Sequence, residues 1–223
     1  MISMKEKISN VTLPKYTRGE EKLNTFSHFC GIIFGIAALV LCIRKGMGNA
    51  LSLICAVFYA LSMIAVYTVS TLYHGAKKEN PKKMLRILDH CTIYFLIIGT
   101  YTPVCLCSLM NVSVFWGFTV FFTVLILGIA AAVFTFADMK KYFPLSMACY
   151  IVMGWSVLMC IKETVCAMSY KGFMWLLLGG VAYTAGAVLY GIGKKHKYIH
   201  SVFHVFILLG SVLQFVSVYF YVL

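Results

Sequence analysis

Charge is what this sequence has least of. Ionised side chains make up 12% of its 223 residues, and only seven of them are acidic. A water-soluble domain of this length cannot cover its surface with so little polar material. With 61% hydrophobic residues, the chain reads as one whose solvent is lipid. No Cys-x-x-Cys pair occurs among the nine cysteines (Cys30, Cys42, Cys55, Cys91, Cys105, Cys107, Cys149, Cys160, Cys166), and Cys105 and Cys107 are too close to resemble a zinc knuckle. Odd in number and mostly inside apolar runs, they read as small buried hydrophobes rather than a disulfide framework. A Walker loop, a dinucleotide-binding fingerprint, an acidic calcium loop and an internal repeat are all missing, which removes the functions those patterns carry. The first twenty-odd residues hold no apolar core and no small-residue cleavage site, so no cleaved signal peptide is expected and the first span acts as its own insertion signal.

Long apolar runs, by contrast, fill the chain. A spanning helix needs roughly 20 mostly apolar residues. Seven such stretches are drawn, at about 26–43, 51–74, 88–109, 112–135, 143–161, 173–191 and 199–222, with ends good to a few residues. The expected fold is an all-α bundle of seven transmembrane helices over residues 23–223, preceded by a polar cytoplasmic segment, 1–22. Connections are short and leave no room for a soluble domain.

The net charge of +12 brings nucleic acid to mind, but its placement points to membrane orientation instead. With the N-terminus in the cytoplasm, all but four of the 19 basic residues fall inside; Arg44, Lys45, Lys162 and Lys171 are the exceptions. That bias orients the chain N-terminus in and C-terminus out. The cluster from Lys77 to Arg86 suits anionic lipid headgroups, and membrane lipids rather than nucleic acid are the expected partners.

This orientation gathers several ionisable groups at one depth. His74 ends the second span, Asp89 opens the third, and His200 and His204 open the seventh. His74 is three residues before Lys77, Asp89 three after Arg86, and His200 three after Lys197. Each therefore lies about 5 Å below the basic rim, with His204 one turn deeper. Ionisable groups in a membrane helix cost free energy and mark function by default.

His200 and His204, at i and i+4, share a helix face and reach one ion. His74 offers a third imidazole from another helix, and neutral imidazoles suit zinc. Asp89 has two functional roles open to it: ligating the ion, or holding its water and taking the proton. As an isolated residue it also reads as a cap of the third span. Ser70, one turn before His74, either donates to Asp89, water or substrate, or bonds its own backbone. Glu21, Asn24 and His28 share a face that either orients the site from a second layer or is simply a polar helix start. Tyr73, Tyr94 and Tyr101 read as anchors or packing aromatics. His90 and His196, next to basic loops, read as headgroup-facing. Gly179, Ala182 and Gly186 form a small-residue face for close helix approach. Pro103 predicts a kink, and Pro144 a tolerated first-turn proline.

Several of these motifs together resemble the hemolysin III family, the bacterial branch of the progestin and adipoQ receptor group. They are Ser70-Thr71-Leu72-Tyr73-His74, Leu88-Asp89-His90-Cys91-Thr92-Ile93-Tyr94, Gly99-Thr100-Tyr101-Thr102-Pro103 and His200-Ser201-Val202-Phe203-His204, with the Glu21/Asn24/His28 entry before them. The resemblance runs from about residue 20 to the C-terminus. It implies a multi-pass protein of the bacterial plasma membrane, with zinc on His74, His200 and His204. Asp89 would bind or orient the zinc water, with Ser70 assisting. Related membrane hydrolases, alkaline ceramidases among them, use such a site on lipid amides, and bacterial members are linked to cytolysis and membrane fluidity control. Where the resemblance would lead one to expect another histidine in the last span, this chain has Gln214, so a ligand role there is without support.

Three functions compete on this reading. The first is a zinc-dependent lipid amide or ester hydrolase serving lipid homeostasis. The second is a non-catalytic sensor or receptor of membrane state, with structural zinc. The third is a cytolytic, pore-forming protein, which the scarcity of ionisable residues at the midplane disfavours.

Overall fold

The structure, a computed structural model, describes residues 8, 11–192 and 196–223. Lys5, Lys7, Lys194 and Lys195 of the expected basic rim, and much of the expected segment 1–22, lie outside those residues. The described residues form helices and no strand. We label the main helices α1 (Arg18–Gly46), α2 (Ala50–Gly75), α3 (Glu79–Pro103), α4 (Val114–Ala137), α5 (Phe143–Trp155), α6 (Ile161–Ile192) and α7 (Ile199–Tyr221).

Among the described residues, six helical runs are long and apolar enough to cross a membrane. The sequence expectation was seven. The difference lies in residues 143–191, where the expected spans 143–161 and 173–191 belong to one 49-residue run. Its parts are α5, a 3-10 turn (Ser156–Cys160) and α6, and it is broken inside α6 at Ser169, with φ 64° and ψ 164°. A straight helix of that length would measure about 74 Å, over twice the roughly 30 Å apolar core of a bilayer.

Local chemistry sets the helix starts. Thr17 and Glu20 form a reciprocal capping box ahead of α1, with Glu20 Oε2 accepting from the Thr17 amide at 2.8 Å. The first helix thereby begins at Arg18, well before the apolar run that starts near residue 26. Asn49 caps α2 through the Ser52 amide at 3.0 Å, and Pro144 occupies the first turn of α5 as expected. Pro103 ends α3 and the chain passes directly into a π-helical turn, Val104–Leu109. The missing N–H and the ring of proline explain why the α-ladder widens there.

Outward faces are apolar. Phe115, Phe118, Phe122, Ile126, Ile129 and Val133 recur every three or four residues along α4 and stay 43–69% exposed. Water would penalise such a stripe heavily, whereas lipid tails do not. Inside, α2 pairs antiparallel with α3, and a Cβ on Gly99 would come within 2.0 Å of the Ser62 hydroxyl. That close approach packs the two helices face to face. On α6, Gly179 and Gly186 provide the expected small-residue face towards α7: a Cβ on Gly179 would collide with Gln214, and Ala182 between them is buried. Tyr73, Tyr94 and Tyr101 are all buried packing residues; Tyr94 stacks on Tyr150, and Tyr101 donates to the Gly154 carbonyl at 2.8 Å. The nine cysteines are free thiols, four of them buried.

Candidate metal centre

Two helices, α2 and α7, deliver three imidazoles to one place because α1 ties their ends. Glu20 accepts from the Tyr198 amide at 2.8 Å, at the left-handed residue that opens α7. One turn on, Ser201 donates to Asn24 Oδ1 at 2.6 Å. The first turn of α7 is thus held against the start of α1, and His200 and His204 face inward from it. His74 reaches the same point from the last turn of α2.

The candidate ligand atoms of His74, His200 and His204 all lie within 4.8 Å of one another, and all three residues are buried. His200 Nε2 and His204 Nε2 are 3.1 Å apart. Two nitrogens on a tetrahedral zinc, each at about 2.0–2.1 Å, stand about 3.3 Å apart. The pair already has that spacing.

The third ligand is oriented by a carboxylate. Glu21 Oε2 lies 2.7 Å from His74 Nδ1, and its other oxygen accepts from Lys82 Nζ at 2.6 Å. An ionised Glu21 takes the Nδ1 proton as its hydrogen bond, so His74 Nε2 presents a lone pair. That Nε2 is buried and has no partner among the described residues. A divalent metal satisfies such an orphaned nitrogen, and an all-imidazole donor set suits zinc, copper, iron or nickel. The chain fits a metal.

Asp89 and Ser70 border the same cavity. Asp89 is not a member of the close ligand set; its carboxylate faces the Ser70 hydroxyl, His74 and Arg86. Capping does not account for it, because α3 begins at Glu79 and Asp89 sits in its third turn. The cavity encloses about 1270 Å³ of empty space including its mouth, and its deeper wall is apolar, with Val66, Ile93, Leu96, Ile97, Ile151 and Ile207.

A family model described as Haemolysin-III related matches residues 16–215. The chain belongs to the haemolysin III family. Curated haemolysin III relatives agree over nearly its whole length. The Hemolysin-3 homolog of Bacillus subtilis (strain 168) is 36% identical over 208 residues, covering 92% of this chain and 96% of that protein. Hemolysin-3 of Bacillus cereus is 34% identical over 222 residues, covering 99% and 98%. No solved structure matches this haemolysin III chain. Its spans and its relatives make it a multi-pass membrane protein.

Within this haemolysin III fold the face of Glu21, Asn24 and His28 is the second layer of the site, not merely a polar helix start. His28 is buried, stacks on His204 with ring centroids 3.8 Å apart, and meets Tyr67 edge-on. Both its nitrogens lack partners among the described residues. His90, expected at the headgroups, is instead buried on the cavity wall, bonding the Arg86 carbonyl at 3.0 Å and the Tyr190 hydroxyl at 3.3 Å. It sits there because α3 starts nine residues earlier than its apolar run, so position 90 is already inside the bundle. His196 is exposed, as expected. Gln214 lines the cavity but packs on Gly179.

Sequence reasoning missed Tyr16, whose ring stacks on His200 at 4.8 Å and 16°. Burial pushes its phenol well above the ordinary tyrosine range, so it stays a donor. No sequence pattern marks Tyr16, since it precedes the first helix. Lys82 was also missed as the partner of Glu21. Glu21→Gln removes the charge that orients His74 and should weaken metal affinity about 10- to 100-fold. Competition with a chelating dye measures this; an unchanged affinity would show that Glu21 only tethers Lys82.

Proposed function

We propose that this haemolysin III protein is a zinc-dependent hydrolase of lipid amides or esters at the cytoplasmic leaflet, serving membrane lipid homeostasis. The observation that carries this reading is the lone pair of His74 turned towards the His200–His204 pair beside a carboxylate, in a cavity with apolar walls. Zinc bound by the three histidines would supply a Lewis acid that polarises a carbonyl and acidifies water.

The remaining steps belong to the chain. Asp89 accepts the proton of the attacking water as general base and then returns it to the departing amine or alkoxide. Ser70 holds the Asp89 carboxylate in place. Glu21 keeps His74 in the ligating tautomer, and the apolar wall takes an acyl chain. Asp89 outside the close ligand set favours the water-handling role over direct ligation.

The same reading counts seven crossings, with the N-terminus inside and the C-terminus outside. It takes the 49-residue run as two spans that turn back at Ser169. The first half pairs in step with α3: Tyr150 bonds the His90 carbonyl, Tyr101 the Gly154 carbonyl, and Ser108 the Ala167 carbonyl. The second half pairs in reverse with α7, through Gly172 with Ser217, Gly179 with Gln214 and Gly186 with Phe206. Both α3 and α7 run antiparallel to α2: Ser62 meets Gly99 while Ser70 meets Asp89, and Tyr67 meets Ser211 while His74 meets His204.

A sensor with structural zinc is the second reading. The ties that α1 makes to both α2 and α7 at the site favour it, since a metal there would lock three helices. Lipid mass spectrometry separates the two. Purified protein in vesicles of mixed lipid should lower one acyl-lipid species and release a fatty acid. A chelator should stop this and added zinc restore it. Bound zinc with no change in any lipid would leave the sensor.

A further inference from the structure

Five basic residues cluster at the start of α3, Lys77 and Lys78 just before it and Lys82, Lys83 and Arg86 in its first turns. Lys82 is paired with Glu21 and Lys83 with Glu79. Arg86 makes no ion pair among the described residues. It is half-buried and lines the cavity one turn before Asp89. Its hydrogen-bond partners are neutral, with Nη1 donating to the Thr12 carbonyl and the guanidinium to the Tyr190 hydroxyl; the Asp89 carboxylate attracts it from one turn on without an ion-pair contact among the described residues. A guanidinium has five N–H donors in a fork suited to phosphate. With only neutral hydrogen-bond acceptors on it, the half-buried guanidinium keeps N–H donors for an incoming anion.

The surroundings suit one. Tyr16 and Tyr190 line the same mouth, and both rings sit against His200, at 4.8 Å and 5.5 Å. Tyr16 offers a phenolic hydroxyl to the cavity it lines. An anion received here therefore lies one side chain away from the histidine cluster, while the apolar wall continues inward. In a glycerophospholipid the phosphate and the acyl carbonyl are likewise adjacent, with the acyl chain beyond.

We propose that Arg86, held by the Tyr190 hydroxyl and joined by that of Tyr16, binds the phosphate of an acidic glycerophospholipid whose acyl carbonyl then faces the metal centre. As a statement about substrate it rests on the hydrolase reading; as a binding site it does not. Neutral lipids lack the group that Arg86 receives.

Lipid retention in native mass spectrometry, with the protein as purified, tests this directly. Phosphatidate, phosphatidylglycerol, and diacylglycerol or ceramide with the same chains are offered in competition. The acidic lipids should be retained about tenfold over the neutral ones, as one charge-assisted contact implies. Arg86→Gln should abolish that preference with metal content unchanged, and Arg86→Lys should restore part of it. If Arg86→Gln fails to fold, Tyr190→Phe keeps the ring and should lower the preference roughly two- to threefold. Equal retention of diacylglycerol, or a preference that survives Arg86→Gln, overturns the proposal. So does complete displacement by equimolar inorganic phosphate, which would assign the site to the free ion. Selective retention by a metal-free His204→Ala variant, or without any turnover, upholds the anion site and leaves the hydrolase reading to fail alone.

Discussion

His204→Ala should lower bound divalent metal from about one ion per chain to less than a tenth of that. Elemental analysis of the purified protein beside the wild type is the measurement. The expected loss is large because His204 is the deepest of the three imidazoles, 1% exposed, and pairs with His200 at 3.1 Å. Two nitrogens from separate helices cannot retain an ion that three hold. The change also deletes the ring that His28 stacks on, so correct assembly has to be shown by size-exclusion profile. His196→Ala is the control: that residue is exposed, and its loss should leave the metal content intact. Stoichiometric metal in the His204 variant would mean that the ion, if any, binds elsewhere, and the site would have no basis.

Asp89→Asn should keep the metal and lose the reaction. General base catalysis contributes about 10²- to 10⁴-fold, so turnover of the lipid substrate should fall by that factor. Metal content should stay near the wild-type value because the carboxylate stands outside the close set of ligand nitrogens. Asparagine preserves shape and a hydrogen bond with Ser70 while giving up the proton-accepting charge. Ser70→Ala, which leaves Asp89 charged but less firmly placed, should cost less. A variant that loses metal as completely as His204→Ala would make Asp89 a ligand. One that turns over normally would remove it from the reaction.

Much of the site was readable before any coordinates. His74, His200 and His204 stood out because imidazoles are costly in apolar runs, and helical spacing with basic flanks placed them at one depth. The partners of His74 were less readable. Glu21 is 53 positions away and Lys82 lies beyond it in a separate helix, so no local pattern couples them. Arg86 was open to notice, being one helical turn from Asp89, yet it reads as one more cation in a basic loop until its neighbours are shown to be already paired. His90 was misplaced because apolarity, not capping and packing, was used to locate the start of α3.

Composition and periodicity alone determined that the chain lives in lipid as a helical bundle, since burial of backbone polar groups within each helix and an apolar exterior follow from residue type. They also determined which side chains were too costly to be there by accident. Only tertiary structure decided that α1 pins α2 and α7 together, that Asp89 stands apart from the histidine nitrogens, and that 143–191 is one interrupted run broken at Ser169. Those outcomes depend on contacts between residues far apart in the chain, and on backbone angles that packing rather than local preference selects.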